Sequence, residues 1–413
     1  MTNRTVPRWS TFAPLLQRRT GSSRLQRRLD GAADIADLSR LAYRRAPKAV
    51  FDYVDGAASG EVTKARNAEA FGRVEFHPRV LRDVETVDTE TTILGLPSSM
   101  PFAFGPTGFT RMMHTEGEAA VARVAARNGI PYALSTVGTT TIEDVAHASG
   151  DGRRWFQLYV VKDRERSREM LQRARRHGFD VLMLTVDVPV SGARLRDARS
   201  GISIPPSLTW RTFLNGAMHP AWLFDFLTTP PPNFETMGTG DGLPVTTVQL
   251  GTTSAAAFDS SVSFEDVAWF REVWQGKVVV KGVQRVDDAI RCADLGVEGI
   301  VVSNHGGRQL DRAVATLDLL PDVVAAVGGR TEVLVDGGVR SGADVVAAMA
   351  LGARGVLVGR AYLYGLMAGG EAGVQRAFDL LAQDVRRSMQ LLGVNTVAEL
   401  SPSVNPGLVR LRP

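Results

Sequence analysis

The stretch Gly299–Arg312, GIVVSNHGGRQLDR, holds residue types that could move a proton beside a fixed positive charge. Its β-branched run Ile300-Val301-Val302 stops at Ser303-Asn304-His305, and two glycines, Arg308 and Asp311 follow. A short apolar run bounded by turn residues reads as a strand buried on both faces, as in a parallel sheet. His305 and Arg308 then emerge together at its carboxyl end. Histidine is the side chain whose ordinary pKa lies nearest neutrality, so it can accept a proton at pH 7. The glycines let the backbone bend there and come close to a ligand. A lone loop histidine is more often a solvated side chain. Here other strand ends supply it with partners.

Strand-like runs recur at Phe102–Pro106, Tyr132–Ser135, Phe156–Tyr159, Val181–Asp187, Val278–Lys281, Ile300–Ser303, Val333–Asp336 and Val356–Gly359. Helical patterns lie between them at Glu116–Asn128, Arg164–His177, Phe264–Trp274, Val286–Leu295 and Ala343–Leu351. Strands alternating with helices in this number predict an α/β fold, a (β/α)8 TIM barrel over about 101–370, with functional groups at the C-terminal strand ends. The rival, a doubly wound sheet, would need a GxGxxG turn that is not found after a first strand. Polar or glycine-rich chemistry closes every run: Pro106-Thr107-Gly108, Ser135, Gln157 with Tyr159, and Thr185 with Asp187 and, beyond it, Arg194. Lys281, then Ser303, His305 and Arg308, then Asp336-Gly337-Gly338-Val339-Arg340, then Gly359-Arg360 complete the ring. Glycine-rich turns after the seventh and eighth strands, opening onto helix N-termini, are the usual phosphate site of this barrel. Lys281 suits a developing negative charge, such as that of a reduced flavin ring. A Schiff-base lysine is the competing reading.

Composition narrows the class. Among 413 residues there is one cysteine, Cys292, which excludes an internal disulfide and fits a reducing compartment. The formal charge is only +4, and seven arginines before Asp30 supply much of it. Residues 1–32 therefore read as a basic, flexible arm, and no nucleic-acid partner is expected. No run approaches the roughly 18–20 apolar residues needed to span a bilayer. Residues 33–100 read as a helical preface, with helices at Asp34–Arg44 and Pro47–Tyr53 and short strands over 74–96. Asp55-Gly56 places Tyr53 near a turn, where it reads as a packing residue. Residues 401–413 form a tail.

Taken together, SNHGGRQLD, the upstream LTVDVPVSGAR, the WFQLYV strand and DGGVRSGADVVAAMALGARGVLVGRA resemble the flavin-mononucleotide-dependent L-2-hydroxy acid oxidising family. The similarity spans about 33–400 and looks most like the quinone-linked L-lactate and mandelate dehydrogenases. It implies FMN as cofactor, no metal, and a small L-2-hydroxy acid, L-lactate above all, as substrate. It makes His305 the base, Asp187 its charge partner, Arg308 and Arg194 a clamp on the substrate carboxylate, and Tyr53 and Tyr159 hydrogen-bond donors to the substrate. Losing one charge-assisted bond of this kind costs about ten- to a hundredfold. Pro106, Thr107, Gly108, Ser135, Gln157, Thr185, Lys281 and Ser303 would hold the flavin ring. Asp336, Gly337, Gly338, Arg340, Gly359 and Arg360 would hold ribityl and phosphate. The resemblance also implies a homotetramer.

Gly108 and Val137 depart from glycolate oxidase, which carries alanine and tryptophan there, and the change points away from glycolate toward lactate or something larger. An insertion between strands four and five, about 195–262, carries Trp210, Phe213, Leu214, Trp222, Leu223, Phe224, Phe226 and Leu227. Residues this apolar in a loop predict contact with a membrane surface, with a lid or a subunit contact as the alternatives. The expected location is cytoplasmic, peripheral on the inner face of the cell membrane, with electrons leaving to a quinone or other respiratory acceptor. An oxygen-using oxidase or monooxygenase is the rival, and a peptide-modifying flavoprotein or a silent phosphate-binding barrel stands further off.

Overall fold

Apolar on both faces, the eight runs have no side fit for water, and a closed parallel barrel is the arrangement that covers them all. The computed structural model describes residues 23–201, 215–238 and 258–412. The chain opens with α1 (Arg24–Asp30), α2 (Ile35–Arg45), α3 (Lys48–Asp55) and α4 (Val62–Gly72), then the short strands β1 (Val74–Phe76), β2 (Thr91–Ile93) and β3 (Leu96–Ser98). The barrel strands are β4 (Phe102–Phe104), β5 (Tyr132–Ser135), β6 (Arg154–Leu158), β7 (Val181–Thr185), β8 (Lys277–Val283), β9 (Gly299–Val302), β10 (Glu332–Val335) and β11 (Gly355–Val358). They pair in parallel in chain order, and β11 closes on β4. Register brings functional ends level: Ser135 stands opposite Gln157, and Thr185 opposite Lys281.

Outside the barrel lie α5 (Gly117–Arg127), α6 (Ile142–Ser149), α7 (Arg164–Arg176), α8 (Leu195–Ser200), α9 (Pro220–Thr228), α10 (Asp266–Trp274), α11 (Val286–Asp294), α12 (Thr316–Val327), α13 (Gly342–Ala350) and α14 (Arg360–Leu392). Inside it, Ala103, Ala133, Trp155, Met183, Val279, Val301, Leu334 and Leu357 form one packed layer with Ile93 and Leu94. Those last two belong to the β2–β3 hairpin, which plugs the lower end. Its turn is held by Glu332, whose carboxylate accepts Leu94 N at 2.7 Å and Gly95 N at 3.0 Å. The barrel can therefore open only upward.

Both chain ends are seated on the rest of the fold. The flexible arm expected over 1–32 ends in a docked helix: Ser23 caps α1 by accepting Gln26 N, and Leu29 is fully buried. α1 seats where α14 breaks at Gly369–Gly370, and a Cβ on Gly369 would come within 3.0 Å of Leu29. Residues 1–22 lie outside the described residues. The tail ends in β12 (Val409–Leu411), paired antiparallel with β1.

In the insertion, Trp210, Phe213 and Leu214 lie outside the described residues, but α9 does not. Trp222 donates its indole N–H to Met112 O at 2.9 Å and stacks on Phe226, and Asp225 pairs with Arg45 at 3.0 Å. This face is docked on the barrel. The other presents Phe224 and Leu227, 68% and 65% exposed. No helix among the described residues is long and apolar enough to cross a membrane. Removing buried side-chain volume at the α1 seat tests whether that helix belongs to the fold. Leu29→Ala is expected to lower unfolding stability by about 2–5 kcal/mol, read as a shifted denaturation midpoint at unchanged slope.

Candidate active site

β9 ends at Val302, and the chain turns sharply over the barrel mouth. His305, Gly306 and Gly307 all adopt left-handed backbone, with φ of 58°, 61° and 78°. For glycine this is free, but for His305 it costs about 1–2 kcal/mol, which the surroundings must offset. Ser303 Oγ accepts His305 N at 3.1 Å, and Asn304 Oδ1 accepts Gly307 N at 3.2 Å.

His305 Nδ1 lies 3.0 Å from Asp187 Oδ1, on a carboxylate whose side chain is 2% exposed. Asp187 fits there because Gly282 has no side chain; a Cβ would sit 2.6 Å from that of Asp187. Burial pushes the imidazole pKa below its ordinary value, and the pull of Asp187 does not reverse it. Asp187 is pushed up by burial but held below the usual carboxylate range by His305. A charged carboxylate fixes the imidazole proton on Nδ1 and leaves the lone pair on Nε2. Nε2 is 3.1 Å from the Tyr159 hydroxyl, which burial keeps protonated. The set is a neutral base, oriented from behind and facing a cavity.

Arg308 and Arg194 flank it. Arg308 donates to the carbonyls of Tyr53 at 2.6 Å and Gly56 at 3.1 Å and lies over the Tyr53 ring. Burial, then repulsion from Arg194, brings its pKa down to about 10, so it remains a cation at neutral pH. Arg194, at the head of α8, has a buried Nε with no partner. Neither guanidinium forms an ion pair with a carboxylate among the described residues. Gln309 ties their loops together: its Nε2 donates to Asp187 O and Val190 O, and its Oε1 accepts Gly192 N.

Lys281 lies 2.9 Å from Asp336 and donates to Ser303 Oγ at 2.8 Å. Burial alone would lower its pKa, but Asp336 and Asp187 more than reverse this, and the ammonium stays charged. Pro106, Thr107, Gly108, Tyr53, Tyr159, Asp336, Gly337, Gly338, Arg340 and Gly359 line the cavity together with Lys281, His305, Arg194 and Arg308. Ser135, Gln157, Thr185 and Ser303 are instead buried in the layer of strand ends.

Arg360 lines the cavity as well and has main-chain partners beside it. Its guanidinium donates to the carbonyls of Val54, Gly306 and Gly56 at 2.8–2.9 Å, bracing α3 and the following turn against the His305 loop. Gly108 is packed by Val137. A Cβ there would meet Val137 Cγ2 at 2.4 Å, so Val137 already fills the space and the pocket is reshaped at this point rather than enlarged. Asn67, Asn304, Gln309, Phe234 and Phe258 carry no assignment in the sequence reading, yet the first three brace the site and the two phenylalanines line its cavity. Of these only Gln309 and Asn304 had a signal, their place within SNHGGRQLD.

The cavity's chemistry fits FMN. Buried Gln157 Nε2, Thr185 Oγ1 and Asp336 Oδ1 have no partner, as suits groups awaiting a polar ring and hydroxyls. Gly359, at the start of α14, has nothing within 4 Å of where a Cβ would stand, which leaves its side open to a phosphate at a helix N-terminus.

The sequence pattern of the FMN-dependent dehydrogenases matches residues 42–406. The chain belongs to that family. A Mycobacterium tuberculosis protein named "Putative L-lactate dehydrogenase" is 54% identical over 412 residues, 100% of this chain and 98% of that one. A Caulobacter vibrioides L-lactate dehydrogenase is 44% identical over 373 residues, 89% of this chain and 96% of that one. The crystal structure of a monotopic membrane protein, (S)-mandelate dehydrogenase, superposes with a TM-score of 0.87 at 37% identity, covering 92% of this chain and all of that one. This FMN-dependent dehydrogenase thus oxidises an L-2-hydroxy acid, with FMN as cofactor.

Because Val137 occupies the space beside Gly108, Gly108→Ala is expected to cost about 1–3 kcal/mol by overpacking. Val137→Ala in the same chain should restore most of it. Additive losses in a double-mutant cycle of thermal stabilities would refute the contact.

Proposed function

We propose that this chain oxidises L-lactate to pyruvate and passes the electrons to a quinone or comparable respiratory acceptor. The observation that carries the site reading is the pair Arg194 and Arg308, cations that line one cavity with a neutral imidazole and, among the described residues, form no ion pair with a carboxylate, Asp197 acting on them only at longer range. A substrate carboxylate relieves the repulsion between them and is held by charge-assisted bonds. So anchored, the substrate presents its hydroxyl-bearing carbon to His305. Nε2 accepts the substrate's proton, from carbon or oxygen, and Asp187 stabilises the resulting imidazolium. Tyr159, a phenol that burial keeps protonated, donates to the substrate's oxygen; Tyr53 stands on the other side of Arg308. When bound, FMN supplies the acceptor for the two electrons that leave the substrate. Lys281, charged and buried, holds positive charge where that pair arrives.

Lactate as the substrate is supported by the names of the relatives and by Val137, which crowds the Gly108 side. The membrane-side acceptor is supported by the exposed apolar residues Met218, Phe224 and Leu227 on and beside α9 and by the monotopic description of the mandelate dehydrogenase. An anaerobic test separates the readings. L-lactate is expected to bleach the flavin's visible absorbance, and a soluble quinone to restore it faster than air does. Faster return with air would make the chain an oxidase. No bleaching with L-lactate, but bleaching with a bulkier L-2-hydroxy acid, would move the substrate.

The pH profile checks the base. His305 works as the neutral form, so kcat/KM is expected to fall as pH drops through a pKa below histidine's ordinary value. Asp187→Asn removes the charge that raises that pKa. The acid limb should then move to still lower pH while kcat falls by about a hundredfold or more. A limb that moves upward would sink the pairing.

A further inference from the structure

Asn67 stands mid-way along α4 and is 1% exposed. Its amide faces that of Asn304 in a reciprocal pair: each Nδ2 donates to the other's Oδ1 at 2.8 Å. Asn67 Oδ1 also accepts Thr316 N, at the start of α12. Asn304 Nδ2 donates further to Val314 O at 2.9 Å, and its Oδ1 accepts Gly307 N. Two buried amides are thereby satisfied without any net charge beside the base. Such a pair is directional, because only one orientation of each amide fits all its partners.

Two consequences follow from where these atoms lie. Asn304 Oδ1 closes the turn across His305 and Gly306, two of the three residues held left-handed. Turning the Asn304 amide would take away one of the two acceptors of Gly307 N, leaving its bond to the Asn304 main-chain carbonyl at 3.0 Å, and so remove one of the contacts that offset the His305 backbone. On its other side, the Asn67 main chain sits against the glycine turn after β10. A Cβ on Gly338 would come 2.4 Å from Asn67 O, and one on Gly337 would come 3.0 Å from Asn67 Nδ2. One residue of the helical preface thus touches the loop that carries the base and the turn that lines the cavity's far end.

We propose that Asn67 is a positioning residue that acts through Asn304 to hold His305 left-handed with Nε2 toward the cavity, and through its main chain to hold the Gly337–Gly338 turn. The docking of α4 then sets the proton acceptor and the cofactor turn in one event. The proposal rests on His305 being the base.

The test uses the flavin-loaded full-length chain with Asn67→Ser, alongside His305→Asn. Asn67→Ser is expected to lower kcat by about ten- to a hundredfold, since small misplacements of reacting groups cost that much, with KM for the hydroxy acid little changed. It is also expected to weaken FMN binding by the apo-protein, followed by quenching of free FMN fluorescence. Should that variant not fold, Asn67→Asp keeps the shape and the acceptor to Asn304 and Thr316 but exchanges the donor for a second acceptor and adds a negative charge, and is read in the same way. A variant that melts earlier but keeps kcat, KM and FMN affinity would overturn the proposal, for the pair would then serve stability alone. Full activity in His305→Asn would instead overturn the base assignment beneath it.

Discussion

Two guanidinium groups, those of Arg308 and Arg194, are held near each other at the mouth of a barrel, and burial disfavours the charge of Arg308. Like charges brought together out of water cost free energy unless something of opposite polarity meets them. The protein meets this demand only in part, with main-chain carbonyls of Tyr53 and Gly56 turned toward Arg308. Arg360 is met the same way, by Val54, Gly56 and Gly306. The stretch Tyr53–Gly56 therefore serves as the neutral counterpart of two cations, and the helical preface is part of the site. What the carbonyls leave unmet is an affinity for an anion.

Beneath that pair the charges alternate and pair off. Lys281 meets Asp336, and Asp187 meets the imidazole, so the interior is near neutrality while the mouth is positive. The same burial that keeps His305 uncharged keeps Tyr159 protonated. One physical cause thus makes one group an acceptor and its neighbour a donor.

How much of this could be read from the chain depended on distance along it. The barrel strands were legible to within a residue or two, because each is a short apolar run ended by turn residues. His305, Asp187, Lys281 and Asp336 were legible because strand ends in this architecture converge by rule. Residues 62–72 gave no helical expectation: Val62, Ala65 and Ala70 make a weak stripe. Asn67 was unreadable in turn, since its partner lies 237 positions away. The main-chain partners of Arg360 were unreadable for a similar reason, since Val54 and Gly56 lie some three hundred positions earlier in the chain. That Val137 fills the space of a missing Cβ, with Cγ2 2.4 Å from where it would stand, is a matter of three-dimensional packing which composition does not carry.

The plug at the lower end of the barrel leaves the upper mouth as the way in, and two walls of that mouth, Phe234 and Phe258, come from the insertion. The same insertion supplies α9, pinned by Asp225 to Arg45 on one face and bare on the other. Cavity wall and exposed apolar face are therefore written in one segment of chain. A lineage that re-seats α9 to suit a new surface also moves the doorway, so a change of where the protein settles carries with it a change in what it lets through.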